Sequence, residues 1–121
     1  MSAIDNKQFE AAKTEATATA TTDSYTHIFK KPFVYEDKEY DRLTLDFGSL
    51  TGRDFIAIDR EIREREGRVA VVPVYDTSFL MRMACRASKE KIAYDALVGA
   101  PLAEFNAIRD KARSFLLRTE M

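Results

Sequence analysis

Between residues 40 and 47 apolar side chains alternate with polar ones, a period of two that predicts a strand. Leu43, Leu45 and Phe47 lie on one side of the extended backbone, and Thr44 lies on the other. Upstream, Ile28 and the apolar segment 33–35 provide a partner strand. We therefore predict an antiparallel β-hairpin over residues 25–47.

Residues 36–39 are predicted to form the turn of this hairpin. Asp37 and Lys38 stand where Asp-Gly is favoured, so a two-residue turn here requires a positive φ at Lys38. A longer loop is the alternative. Pro32 has no N–H to donate, which places it at an edge or a bulge.

The hydrophobic period changes to a helical one after the hairpin. A first helix is predicted over 53–66, where Phe55, Ile58 and Ile62 share a face that Ile56 widens. Its other face alternates between acidic and arginine side chains, which is typical of a solvated, ion-paired surface.

Local signals mark both ends of this first helix. Thr51 and Asp54 have the spacing of a capping box, and Gly67 suits the residue after the helix. The following segment 69–72 is short and rich in valine. It is either a third strand or an extended connector, and Pro73 ends it.

A second helix is predicted from Asp76 or Thr77 to Ser88. A single helical turn follows at 94–97, and Gly99 breaks it. The apolar positions of the second helix share one face: Phe79, Leu80, Met83, Ala84 and Ala87.

Pro101 suits the first position of a third long helix, which has the clearest helical period in the chain. Its apolar positions are Leu102, Phe105, Ile108, Ala112, Phe115 and Leu116. The predicted fold is α+β, an N-terminal hairpin packed on about three helices. Residues 1–24 are rich in Thr and Ala and are predicted to be a disordered tail, which leaves 25–121 as one domain.

Composition and charge argue against several classes of function. The 19 basic and 20 acidic residues give a net charge of −1, which argues against a general polyanion binder. The longest apolar run, 69–75, is far shorter than the roughly 20 residues of a membrane helix. We see no signal peptide, and we expect a soluble cytoplasmic protein without a membrane partner.

The sequence offers little reactive chemistry. The only histidine, His27, has no partner for a catalytic triad and is interpreted as a surface or edge residue. The only cysteine, Cys85, is interpreted as a small buried thiol. Metal-ligand spacing and a glycine-rich phosphate loop are both missing. We therefore expect no enzyme activity, no cofactor and no metal.

Two clusters invite a binding interpretation. Arg82, Arg86 and Lys89 follow one side of the second helix, so a small DNA-binding regulator is the alternative function. No base-reading residue accompanies them, and a solvated or protein-contact face is favoured. Aromatic residues crowd the hairpin, and we interpret them as the core and rim of a small sheet rather than as an outer contact surface: Tyr25, Phe29, Phe33, Tyr35 and Tyr40.

Three short motifs carry a resemblance to a known family: the hairpin 31–40, the strand 43–47 and the run Leu50-Thr-Gly-Arg-Asp54. The downstream helix 75–87, the turn 94–97 and a final helix ending at 114–117 continue it. Together they resemble the tail assembly chaperones of long-tailed bacteriophages over about residues 28–118. The family's hairpin usually has glycine where this chain has Lys38.

The resemblance implies a non-enzymatic role. Such chaperones bind the tape measure protein, keep its helical segments soluble and help recruit major tail protein subunits. They act in the cytoplasm of the infected host and are absent from the mature virion. Some are also made as a longer, frameshifted product, and this chain looks like the short form.

The first two helices offer a surface for such a client. The first helix has more apolar residues than a narrow stripe needs, which makes Phe55, Ile56 and Phe79 candidate contact residues. Self-association is a second expectation, because chaperones that coat a long client often work in multiples.

Overall fold

A computed structural model describes residues 23–120. Most of the predicted tail, 1–22, lies outside the described residues, whereas Ser24 already belongs to the first strand. The elements in chain order are β1 (Ser24–Tyr35), β2 (Lys38–Asp46), a 3-10 turn (Phe47–Ser49), α1 (Gly52–Glu66), a second 3-10 turn (Pro73–Tyr75), α2 (Thr77–Ala87), α3 (Tyr94–Leu97) and α4 (Leu102–Thr119). The α+β fold is confirmed.

The two strands form an antiparallel hairpin, in which His27 lies opposite Leu43 and Phe33 lies opposite Tyr40. The register shifts between Ile28 and Phe33, which confirms the irregularity predicted at Pro32. A proline there removes no ladder hydrogen bond, because the bulge already interrupts the pairing.

The hairpin turn differs from the prediction. Positive φ angles occur at Glu36 (49°) and Asp37 (67°), not at Lys38. Tyr35 and Lys38 pair directly, so the turn has two residues and lies one position earlier than expected. Both central residues take the left-handed conformation that matches the twist of the strands.

The valine-rich segment 69–72 is a connector, since within residues 23–120 the sheet contains β1 and β2 alone. The free edge of β2 is partly covered instead by the segment after α2. Thr44 accepts a hydrogen bond from the N–H of Lys89 at 2.9 Å, and Leu45 forms an isolated bridge with Ser88. These contacts protect an edge that would otherwise expose its backbone groups.

The core lies between the hairpin and the helices, and α2 passes through its centre. The side chains predicted to face inward from β2 and α2 are all buried: Leu43, Leu45, Phe47, Phe79, Leu80, Met83, Ala84 and Ala87. Met81 and Arg82 of α2 are buried as well. Because α1, α3, α4 and the hairpin all contact α2, buried residues occur on several sides of this helix rather than on one face.

The last helix begins one residue later than predicted, since Pro101 is its N-cap and Leu102 its first residue. Ile108, Ala112 and Leu116 are buried as predicted, but Leu102 is exposed. Leu102 therefore has the helical spacing of the apolar positions but is 72% exposed to solvent.

The hairpin aromatics pack as core and rim. Phe29 and Tyr40 are buried, and Tyr25, Phe33 and Tyr35 pack against the core while partly exposed. This confirms the favoured interpretation of the aromatic cluster.

Candidate functional site

A groove of about 330 Å³ opens between α1, α2 and the C-terminal part of α4. Its polar rim includes Thr51 and Thr119. Its apolar lining residues, which define what we name the apolar groove, are Leu50, Phe55, Ile58, Phe79, Met83, Phe115 and Leu116. Phe115 is held from behind by the ring of Phe47, which stacks on it at 5.4 Å.

The N-terminal cap of α1 positions one wall of the apolar groove. Asp54 Oδ2 accepts the backbone N–H of Thr51 at 2.8 Å, and Arg86 Nε donates to Asp54 Oδ1 at 2.8 Å. The hydrogen bond from Thr51, and then that from Arg86, lower the pKa of the Asp54 carboxyl. The ionised Asp54 therefore ties the start of α1 to α2, directly beside Phe55.

The structure brings together two of the three predicted contact residues. Phe55 and Phe79 both line the apolar groove, with their ring centroids 4.8 Å apart. Phe55 is 43% exposed, whereas Phe79 is 1% exposed and belongs to the groove floor. Ile56 is 57% exposed but does not line the groove. The accessible anchor of this surface is thus Phe55.

A second recess, of about 300 Å³, is bounded by other faces of α1 and α2 and by the segment before α3. We name it the polar recess, and it is lined by Glu61, Arg65, Arg82, Cys85, Arg86, Ile92, Ala93, Tyr94 and Asp95. Arg82 donates to Glu61 and to Glu66, each at 2.9 Å. Its guanidinium also lies 3.8 Å from the centre of the Tyr94 ring.

The predicted basic stripe is not an exposed cationic face. Arg82 is buried and paired with two carboxylates, and Arg86 is paired with Asp54. Lys89 is exposed. Two of the three positive charges are therefore engaged by carboxylates, Arg82 inside the protein and Arg86 at its surface, which reduces the free charge for phosphate contacts.

His27 lies in a buried polar cluster, which corrects its interpretation as a surface or edge residue. His27 Nε2 lies 2.7 Å from Glu104 Oε1, and the hydroxyl of Tyr25 lies 2.8 Å from His27 Nδ1. The other oxygen of Glu104 accepts the backbone N–H of Lys30 at 3.0 Å. The partner that the sequence did not reveal is 77 residues away in the chain.

Electrostatics explain why Glu104 is tolerated at this buried position. The hydrogen bond from Lys30 N–H, followed by that from His27, lowers the pKa of the Glu104 carboxyl against the opposing effect of burial. Because the ionised carboxylate only accepts hydrogen bonds, His27 Nε2 carries a proton. Glu104 also lies in the first turn of α4, where the helix dipole favours negative charge. The cluster docks β1 onto α4.

Cys85 is mostly covered, as predicted, and burial raises the pKa of its thiol to about 12. A thiol with such a pKa is protonated at neutral pH and is a poor nucleophile. Within residues 23–120 no helix is both long and apolar enough to cross a membrane. The same part of the chain contains no group of three or more His, Cys, Asp or Glu side chains arranged to hold a metal ion.

In comparisons with known proteins, no family model matches the chain, and neither a curated protein nor a solved structure is significantly similar to it.

Proposed function

We propose that this protein is a phage tail assembly chaperone that binds helical segments of a tape measure protein in its apolar groove. The observation that supports the proposal most directly is the groove itself, an apolar recess of about 330 Å³ with the exposed ring of Phe55 at its mouth. The resemblance of motifs 31–40, 43–47 and 50–54 to the family supplies the identity of the client.

The groove has the chemistry that an amphipathic helix requires. Aromatic and aliphatic side chains from three helices form its floor and walls, and Thr51, Asp54 and Thr119 bring polar groups to its rim. A client helix inserts apolar residues at positions i, i+3 or i+4 and i+7 and keeps its polar face outside. Burial of those residues drives binding, and the polar rim limits the affinity, as release of a client demands.

A second exposed apolar segment is the connector between α1 and α2. Val71 is 83% exposed, and Val69, Val72 and Tyr75 are also exposed. These side chains line none of the recesses described above, so they offer no pocket for an anchoring residue. Val71 therefore provides a matched control for Phe55.

The test is capture of purified tape measure helical segments by the full chain, compared between Phe55→Asp and Val71→Asp. Both variants place a carboxylate at an exposed apolar position. We expect Phe55→Asp to weaken binding about tenfold or more, because a charge in the groove is desolvated by the client. We expect Val71→Asp to bind within about twofold of the natural chain.

Circular dichroism and thermal unfolding establish that both variants keep the fold. Equal loss of capture in the two variants would show that the groove is not the client site. If the natural chain captures no tape measure segment, the proposed function is wrong.

The alternative of a DNA-binding regulator finds no support in the geometry, because Arg82 and Arg86 are occupied by carboxylates. The proposed chaperone acts in the cytoplasm of the infected host, needs no cofactor and also helps to recruit major tail protein subunits. Self-association on the client remains part of the proposal.

A further inference from the structure

The chain enters the described fold beside the apolar groove. The carbonyl oxygen of Asp23 accepts the N–H of Phe47 at 2.8 Å, and Asp23 Oδ1 lies 3.4 Å from Arg118 Nη2. Phe47 supports the groove residue Phe115, and Arg118 adjoins the groove residue Thr119 in α4. The first described residue, Asp23, therefore lies behind the Phe115 wall of the groove.

The tethered residues include a side chain suited to the groove. Apart from Met1, the large apolar residues of 1–22 are Ile4 and Phe9. Ten of the 13 residues between Phe9 and Asp23 are alanine or threonine, and the others are Glu10, Lys13 and Glu15. Phe9 lies 14 residues before Asp23, and a chain of this length spans up to about 45 Å. That reach exceeds the roughly 35 Å diameter of a domain of about 100 residues.

We propose that residues 1–22 dock in the apolar groove, with the ring of Phe9 seated against Phe55 and Phe115, as an internal occupant that a client helix displaces. The proposal deepens the proposed function, because it gives the same groove a mode of regulation. Phe9 is favoured over Ile4 since its tether is shorter and an aromatic ring matches the aromatic walls.

Because the segment is tethered to the fold, even a weak contact is sufficient for it to occupy the groove. A tether of this length holds the segment at an effective concentration on the order of millimolar. A single phenylalanine in the groove, with an intrinsic dissociation constant near that value, is bound in about half of the molecules. Such an occupant shields the exposed ring of Phe55 between clients, yet costs a client only a few-fold in affinity.

The test uses the full chain with Cys85→Ala, so that Glu10→Cys takes a single nitroxide label beside an intact Phe9. Paramagnetic broadening of the Met83 methyl and of the Leu116 signals is expected in the dilute protein. The methyl signals of Val34, which is exposed on the hairpin, are expected to stay sharp. The same labelled chain carrying Phe9→Asp is the matched control, and it is expected to lose the broadening.

Three outcomes would overturn the proposal. They are sharp groove signals, broadening centred on Val71 and Val72, and broadening that disappears on dilution, which would assign the occupant to a second copy of the chain. A client measurement separates this inference from the proposed function. Phe9→Asp is expected to raise the affinity for tape measure segments about twofold. If no segment binds either chain, the chaperone function fails while the labelling result still decides the docking.

Discussion

The apolar groove and the polar recess are of similar size and share the helices α1 and α2, but their walls differ. The polar recess contains charged groups that the chain itself pairs, as when Glu61 and Glu66 bind Arg82. The apolar groove exposes aromatic rings, including Phe55, without such partners among its lining residues. The charged groups of the polar recess are already paired within the chain. A partner that excludes water from the apolar groove, in contrast, binds with a favourable change in free energy.

This difference shows why counting charges on a helix is a poor guide to a binding surface. Arg82 is buried because two carboxylates and the Tyr94 ring compensate for its lost hydration. Burial by itself lowers the pKa of Arg82, but the hydrogen bonds to Glu61 and Glu66 together outweigh burial and raise that pKa, so Arg82 keeps its charge. The ion pairs of the polar recess therefore stabilise the fold, and the apolar groove is the better candidate for binding a partner.

The largest expected effect comes from removing the groove floor. Phe79→Ala is expected to lower the free energy of unfolding by about 4 kcal/mol, because a fully buried ring is replaced by a cavity. Urea denaturation followed by circular dichroism measures the loss. A loss below about 1 kcal/mol would mean that Phe79 is not part of the core.

Arg82→Met is expected to cost less, about 2–3 kcal/mol. The substitution keeps the aliphatic stem but leaves Glu61 and Glu66 without their shared cation, and both carboxylates keep some access to water. The matched control is Arg86→Met, which removes an arginine whose side chain is 42% exposed. That control is expected to cost about 0.5 kcal/mol.

Equal losses in Arg82→Met and Arg86→Met would break the distinction between a paired interior charge and a solvated one. Client capture adds a second readout. Arg82→Met is expected to bind tape measure segments normally while folded, because Arg82 does not line the apolar groove.

Local signals predicted most of the fold. The alternation at Leu43, Leu45 and Phe47 specified β2, and the Thr51 and Asp54 pair with Gly67 marked both ends of α1. These features depend on residues within one or two turns of each other, so a single sequence reveals them. The position of the hairpin turn was missed by one residue, because neither Asp37 nor Lys38 is glycine and the left-handed positions had no clear marker.

Contacts between distant residues could not be predicted. Helical spacing showed that Arg82 and Arg86 share a side of α2, but it could not show that α1 would cover that side with Glu61 and Glu66. The groove was anticipated only through Phe55 and Phe79, since its far wall comes from Phe115 of α4. Packing of separate elements decides both outcomes, and periodicity carries no information about it.

The smallest predicted effect concerns a polar cluster with no recess, where β1 meets α4. Glu104→Gln is expected to cost about 1 kcal/mol at neutral pH, because the amide retains one acceptor oxygen but loses the charge that binds His27 and Lys30 N–H. The folded-state pKa of Glu104 is lowered from its ordinary value of 4.5, so its contribution is complete above pH 4.5 and declines as the pH falls through the lower folded value.

The pH dependence separates the charge of Glu104 from its shape. Urea denaturation of both chains between pH 7 and pH 3 is expected to show that the gap between natural chain and Glu104→Gln narrows in acid, since the natural chain then also has an uncharged side chain at position 104. The other carboxyl groups with a lowered pKa are those of Asp54, Glu66, Asp76 and Glu90, and their protonation in acid weakens both chains alike. A gap that stays constant, or widens, at low pH would mean that packing rather than the ionised carboxylate holds β1 on α4.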